Sequence, residues 1–184
     1  AGGTVTYGLS GTDAAAFNIN TATGAVTFKA VPDYEAKTSY SINVTASDGT
    51  LTSNQAVTIN ITDVAPVISS GTSVSVNEGI AANTALYTAI ASDIAGGSVT
   101  YALTGIDAAA FSINSATGAV TINAVPNFET KSSYSFNVKA SDPSGAFSTQ
   151  AVTLNINDVA PVISSATTTS IPEGTSIATT VYTA

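Results

Sequence analysis

The sequence predicts an all-β fold of tandem seven-stranded Greek-key β-sandwiches, and three observations carry that reading. The stretch 17–35 recurs nearly letter for letter as 111–129, with Tyr7 matching Tyr101 and Gly24 matching Gly118 at an offset of 94. After Asp48 and Asp142 the second copy carries one extra residue, so Gln55 matches Gln150 and Asp63 matches Asp158. A unit of this length is too long for a solenoid turn and long enough to fold alone. Next, apolar residues alternate with Ser, Thr and Asn at a period of two, the mark of a half-buried antiparallel strand. Finally, turn signals break these runs at short, regular intervals, as the strands of a sandwich require.

Taken along the chain, the elements follow from the same rules. Asp13-Ala-Ala-Ala-Phe17 and its twin 107–111 each read as a single helical turn inside a loop, with the Asp capping backbone N–H groups. Thr23-Gly24, Asp48-Gly49, Asn77-Glu78-Gly79, Gly96-Gly97 and Pro143-Ser144-Gly145 mark turns. Val99, Tyr101 and Leu103 share one strand face. In Ser133–Ser141, the residues Tyr134, Phe136, Val138 and Ala140 face inward while Ser135, Asn137 and Lys139 face out. Val152, Leu154 and Ile156 repeat the pattern, and outward Thr and Ser suit a pleated surface.

The repeat also sets the expected boundaries. Ala1-Gly-Gly-Thr-Val-Thr-Tyr7 matches Ala95-Gly-Gly-Ser-Val-Thr-Tyr101, so residues 1–64 are expected to form a unit without its first two strands. Residues 65–159 are expected to form a complete unit, and 160–184 the first two strands of a following one. Two arrangements fit this frame: a window of a longer repeat array, or a subunit whose segment 162–184 supplies strands to the open first unit of another chain. The second would build filaments head-to-tail.

Composition narrows the function classes. Four Lys, no Arg and twelve acidic residues give a net charge of −8, which argues against nucleic-acid binding, since phosphate neutralisation needs a clustered basic surface. No apolar run approaches the roughly 20 residues of a membrane span. There is no His and no Cys, which removes the usual base, the thiol nucleophile and disulfides. The acids fall at repeat-equivalent positions, a pattern foreign to a lone active site, and no enzymatic activity is expected. Asn43-Val-Thr45 and Asn60-Ile-Thr62 match the glycosylation pattern but lie in predicted strands, and are read as chance matches.

Several motifs stand at equivalent places in both units: Phe17-Asn-Ile-Asn-Thr-Ala-Thr-Gly-Ala-Val26 followed by Pro32-Asp-Tyr-Glu35; Ala46-Ser-Asp-Gly49 and Ala140-Ser-Asp-Pro-Ser-Gly145; and Asn60-Ile-Thr-Asp-Val-Ala-Pro66 with Asn155-Ile-Asn-Asp-Val-Ala-Pro161. Val76-Asn-Glu-Gly79 and Ile171-Pro-Glu-Gly174 complete the set. In order and spacing this resembles the cadherin repeat, an immunoglobulin-like sandwich. The Ala/Ser/Thr-rich, Cys-free composition resembles the cadherin-like repeats of giant RTX-type bacterial surface adhesins.

The resemblance implies Ca²⁺ at the junctions between units, and the chemistry suits: Ca²⁺ takes six to eight oxygen ligands and needs no soft donor. Carried over by residue, Asp33, Glu35 and Asp63 of the first unit would meet Asp93 and Asp142 of the second. Glu78, Glu129 and Asp158 would form half a site at the far end, and Asp48 would face a preceding unit. The sequence departs from the family pattern at Asn60, Asn155, Val64, Val159, Asn127 and in Asp93-Ile-Ala95. With fewer charged ligands, one or two ions per junction are expected where the family commonly holds three. Tyr34 and Phe128, between the acids, are read as core plugs.

The implied function is a structural extender of a bacterial extracellular adhesin or fibre, rigidified by Ca²⁺. Its expected partners are neighbouring repeats or identical chains, with a cell-surface or matrix partner for the whole. The alternatives are the strand-donating filament and a module recognising a cell-surface protein or glycan. Inward alternation of Tyr7, Tyr40, Tyr134 and Phe136 disfavours the last of these.

Overall fold

The computed structural model describes residues 3–183. In the first unit, the alternating segments form β1 (Thr6–Ser10), β2 (Phe17–Ile19), β3 (Val26–Phe28), β4 (Ser39–Ser47) and β5 (Thr52–Asn60). Strands β1, β4 and β5 make one antiparallel sheet in that order, and β2 pairs with β3. The second unit contains β6 (Val67–Ile68), β7 (Ser73–Asn77), β8 (Ala85–Thr88), β9 (Ala91–Ser92), β10 (Thr100–Thr104), β11 (Phe111–Ile113), β12 (Ala119–Ile122), β13 (Ser133–Ser141) and β14 (Phe147–Asn157). Its two sheets run β10-β13-β14-β7 and β11-β12-β8, with a short β6–β9 pair beside them. The β7–β14 pairing is parallel and every other is antiparallel. This is the Greek-key β-sandwich of the sequence reading.

The period-two face of β13 and β14 becomes the core. Phe136, Val138, Val152 and Leu154 are essentially sealed, together with Val120 and Ile122 of β12 and Phe111 of β11. Phe136 lies 4.7 Å from Phe111 and edge-on to Tyr87 at 6.3 Å, and Phe128 packs at the margin.

In the first unit only Phe17 and Ile42 are buried to that degree among large side chains; Val26, Val44, Val57 and Ile59 stay half-exposed. The edges explain the difference. In the second unit β7 lies along β14, setting Val74 opposite Leu154, and β8 lies along β12, setting Tyr87 opposite Val120. The corresponding edges of β5 and β3 pair with no strand among the described residues.

Two expectations need correction or restriction. The segment 160–184 carries no strand over 160–183, although it repeats the pattern of β6 to β8. A strand holds its shape through an edge partner, and no sheet among the described residues includes this segment. Ala184, like Ala1 and Gly2 of the expected partial unit, lies outside the described residues.

The second correction concerns Asp13 and Asp107, which make no capping bond to the 3₁₀ turns Ala14–Ala16 and Ala108–Ala110. Each instead reaches a strand 28 residues away: Asp13 accepts from the Ser41 N–H at 2.7 Å and Asp107 from the Ser135 N–H at 2.8 Å. Each also pairs with a Lys, Lys37 and Lys131, whose ammonium lies over Tyr40 at 5.0 Å and Tyr134 at 4.7 Å. The Lys hydrogen bond first, then the strand N–H, hold both Asp carboxyls below the ordinary carboxylate range.

A depressed folded pKa contributes stability that is complete above the unfolded value and lost as pH falls through the folded one. The chain is therefore expected to lose stability below about pH 4. The double variant D13N/D107N should be less stable at neutral pH and show a flatter decline between about pH 4 and pH 2, as read by thermal melts across that range.

Gly24 and Gly118 are twins at φ +76° and +71°, where only glycine is unstrained, but their surroundings differ. A Cβ on Gly118 would sit 2.3 Å from the Ala89 carbonyl oxygen just beyond β8, whereas one on Gly24 would meet the Tyr7 ring at 3.1 Å. Gly118→Ala is expected to cost about 3 kcal/mol, combining left-handed strain with backbone displacement, and Gly24→Ala about 1 kcal/mol. Urea unfolding followed separately for each unit checks the difference.

Candidate metal centre

Four loop carboxylates converge where the two units meet. Glu35 sits in the loop after β3, on a turn closed by Asp33, which accepts the Ala36 N–H at 3.1 Å and, through its carbonyl, the Lys37 N–H at 2.9 Å. Asp63 follows β5, where the Ile61 N–H donates to the Thr38 carbonyl at 2.8 Å. Asp93 follows β9 and accepts the Ala95 N–H at 3.1 Å. Asp142 follows β13; its Oδ1 accepts from the Gly145 and Ala146 N–H groups at 2.8 and 3.0 Å, and it is only 6% exposed.

Oxygens of Glu35, Asp63 and Asp142 lie within 4.8 Å of one another. Asp93 joins Glu35 and Asp63 along a cleft of about 230 Å³ whose rim includes Val31 and Ile94.

The electrostatics of this cluster are unfavourable as they stand. Glu35 Oε1, Asp63 Oδ1, Asp93 Oδ2 and Asp142 Oδ2 are each buried without a hydrogen-bond partner, a state that polar atoms rarely tolerate. A hydrogen bond to its own backbone favours the Glu35 anion. Burial, the hydrogen bond shared with Asp33 and the negative charges of Asp93 and Asp63 together outweigh it and push the Glu35 carboxyl up. Four orphaned carboxylate oxygens and no nitrogen or sulfur donor form a set that fits a hard divalent cation such as Ca²⁺.

A second group lies at the far end of the second unit, where oxygens of Glu78, Glu129 and Asp158 also approach within 4.8 Å. Glu78, just after β7, accepts the Phe128 N–H at 3.0 Å and the Val159 N–H at 2.9 Å. Those two bonds, the Phe128 one foremost, hold its carboxyl below the ordinary range. Glu129 and Asp158 are exposed.

Two of the sequence-derived candidates join neither group. Asp48 is exposed at the β4–β5 hairpin, where it accepts the Leu51 and Thr50 N–H groups, and these lower its pKa. Asp33 closes its turn, and its twin Asn127 does the same by accepting the Thr130 N–H at 2.8 Å. That position therefore asks for an acceptor rather than a charge, which accounts for the exchange of Asp for Asn.

One residue at the junction was not singled out from sequence. The Ser144 hydroxyl hydrogen-bonds Asp142 Oδ1 at 2.8 Å and Asp63 Oδ2 of the other unit. Its signal was the one-residue insertion after Asp142, which makes this hairpin one residue longer than the one at Asp48-Gly49.

Tandem β-sandwiches with acidic residues gathered at the junction define a class of extracellular repeat, and comparison with known proteins identifies it. This chain belongs to the cadherin domain family, which matches residues 1–62 and 72–157. Human Protocadherin Fat 1 is 32% identical across 87% of this chain, which spans 4% of that protein's length. Among solved structures, mouse Cadherin-23 EC22-24 superposes with a TM-score of 0.51 at 26% identity, covering 85% of this chain and 53% of that one. Protocadherin Gamma B2 extracellular cadherin domains 1-5, at 24% identity and a TM-score of 0.51, covers 83% of this chain and 32% of its own, and shows the shared fold. Cadherin domains in general bind Ca²⁺. No helix among the described residues is long and apolar enough to cross a membrane.

Proposed function

We propose that this chain is an extender segment of an extracellular adhesion protein or fibre, with junctions braced by Ca²⁺. The observation that carries this reading is the set of four unpartnered carboxylate oxygens, two from each unit, buried at one junction. Contacts between units in a chain are mobile by default, so a stiff rod needs an added constraint. Glu35 and Asp63 from one side, with Asp93 and Asp142 from the other, would hold one or two ions, and Asp33 would orient Glu35. When bound, the cation supplies positive charge that cancels the repulsion among these acids. Each unit then offers a fixed set of oxygens to the other, and that fixes the angle between them.

The trio Glu78, Glu129 and Asp158 would serve a following repeat in the same way, and Asp48 a preceding one. On this reading the repeats are bounded as 1–64, 65–159 and 160–184. The Ala/Ser/Thr-rich, Cys-free composition favours a bacterial surface adhesin, where neighbouring repeats, identical chains and a surface or matrix partner would be the contacts.

Calorimetric titration of the chain with Ca²⁺ tests the reading. Saturable binding that raises the melting temperature is expected; no binding at millimolar Ca²⁺ would reduce the acids to surface charge.

A second reading has its own observation: 162–183 repeats 67–88 yet forms no strand, while the edges of β3 and β5 are open. Supplied by another copy, that segment would extend both sheets and chain the molecules head-to-tail. Light scattering that grows with protein concentration is the expected sign, and a strictly monomeric, well-folded chain contradicts it.

A further inference from the structure

We infer that Ser144 is a positioning residue of the junction, turning Asp63 and Asp142 into one prearranged pair of ligands before any cation arrives. The inference rests on the calcium reading and adds a residue that is not among the candidate ligands.

The argument starts from which oxygen of each carboxylate is occupied. Asp142 Oδ1 takes the Gly145 and Ala146 N–H groups and the Ser144 hydroxyl, and Asp63 Oδ2 also faces that hydroxyl. The oxygens left over, Asp63 Oδ1 and Asp142 Oδ2, are the buried ones without partners, as is Glu35 Oε1 beside them. Binding one oxygen of a carboxylate fixes its rotation and hence the direction of the other. Ser144 therefore aims two carboxylates, 79 positions apart in the sequence, at the space they share with Glu35.

A hydroxyl carries one proton, so Ser144 donates to Asp63 and Asp142 in turn. It thereby joins two like charges that would otherwise separate. Its own placement is local: the loop turns back at Gly145, with φ +98°, and the Ala146 N–H approaches the Ser144 oxygen at 3.3 Å. The hairpin of the first unit is one residue shorter, with Gly49-Thr50 after Asp48, and there Asp48 Oδ1 takes the Thr50 and Leu51 backbone N–H groups. Residues that orient ligands in this way usually shift metal affinity by about 10- to 100-fold.

The test uses the whole chain with Ser144→Ala and, as the conservative variant, Ser144→Thr, both titrated with Ca²⁺ by calorimetry. Ser144→Ala is expected to weaken binding at the junction about 10-fold, while Ser144→Thr restores affinity to within about 3-fold of the parent. Unfolding without Ca²⁺ should change little, since Ser144 lies on an exposed hairpin.

Equal affinity in the parent and Ser144→Ala would overturn the inference. Should the parent itself bind no Ca²⁺, the calcium reading fails and a second readout decides the position of Ser144. The carboxyl carbon resonances of Asp63 and Asp142, measured at fixed neutral pH without cation, are expected to move together in Ser144→Ala. Unmoved resonances overturn the inference.

Discussion

Asp142→Asn is expected to weaken Ca²⁺ binding by about 100-fold, the largest loss from any single isosteric change in this chain. Asn keeps an oxygen for the Gly145 and Ala146 N–H groups and for Ser144, so the hairpin keeps its shape. What it removes is one of the few charges at a junction already short of them, since Val64 and Ile94 contribute apolar side chains there. The same substitution has the opposite sign without the cation. It relieves repulsion with Glu35 and Asp63, whose oxygens lie within 4.8 Å. With a chelator present the variant should melt at or above the parent temperature, and with millimolar Ca²⁺ below it. A variant that melts below the parent in both conditions would make Asp142 a structural residue only.

Phe136→Ala is expected to destabilise the second unit by about 4 kcal/mol. The ring is 1% exposed, stands opposite Val152 on β14 and touches both Phe111 and Tyr87, so truncation leaves a cavity that rigid strands on both sides cannot close. That is a large part of the 5–15 kcal/mol that holds a domain of this size together. The first unit has its own core around Phe17 and Ile42 and should unfold at an unchanged urea concentration. A loss below about 1.5 kcal/mol would mean that this core repacks freely.

How much of this was legible in the sequence depends on the range of the interactions. Strand faces are written locally, every second residue, so Tyr134, Phe136, Val138 and Ala140 announced the inner face of β13 and three of the four are buried there. The equivalence of the two units was visible as a repeat. The gathering of Glu35, Asp63 and Asp142 was accessible only through resemblance, because no local rule brings together loops that lie up to 107 positions apart.

Asp13 and Asp107 show the limit most clearly. Their neighbourhood looks like a helix start, yet a strand N–H and a Lys, both far along the chain, outcompete the local turn for the carboxylate. Segment 160–183 fails for a related reason: alternation gives strand propensity, but a strand also needs an edge, and sequence pattern does not supply one. Ser144 was hidden because a hydroxyl in a Pro-Ser-Gly turn looks like any other turn residue until Asp63 of the other unit stands beside it.

The central claim is that cation binding at the junction fixes one unit against the other. Residual dipolar couplings of both units, recorded with and without Ca²⁺, test this most directly. The account predicts two alignment tensors that differ without Ca²⁺ and merge into one when it is bound. Tensors that remain independent at saturating Ca²⁺, or that already coincide with a chelator present, would contradict it.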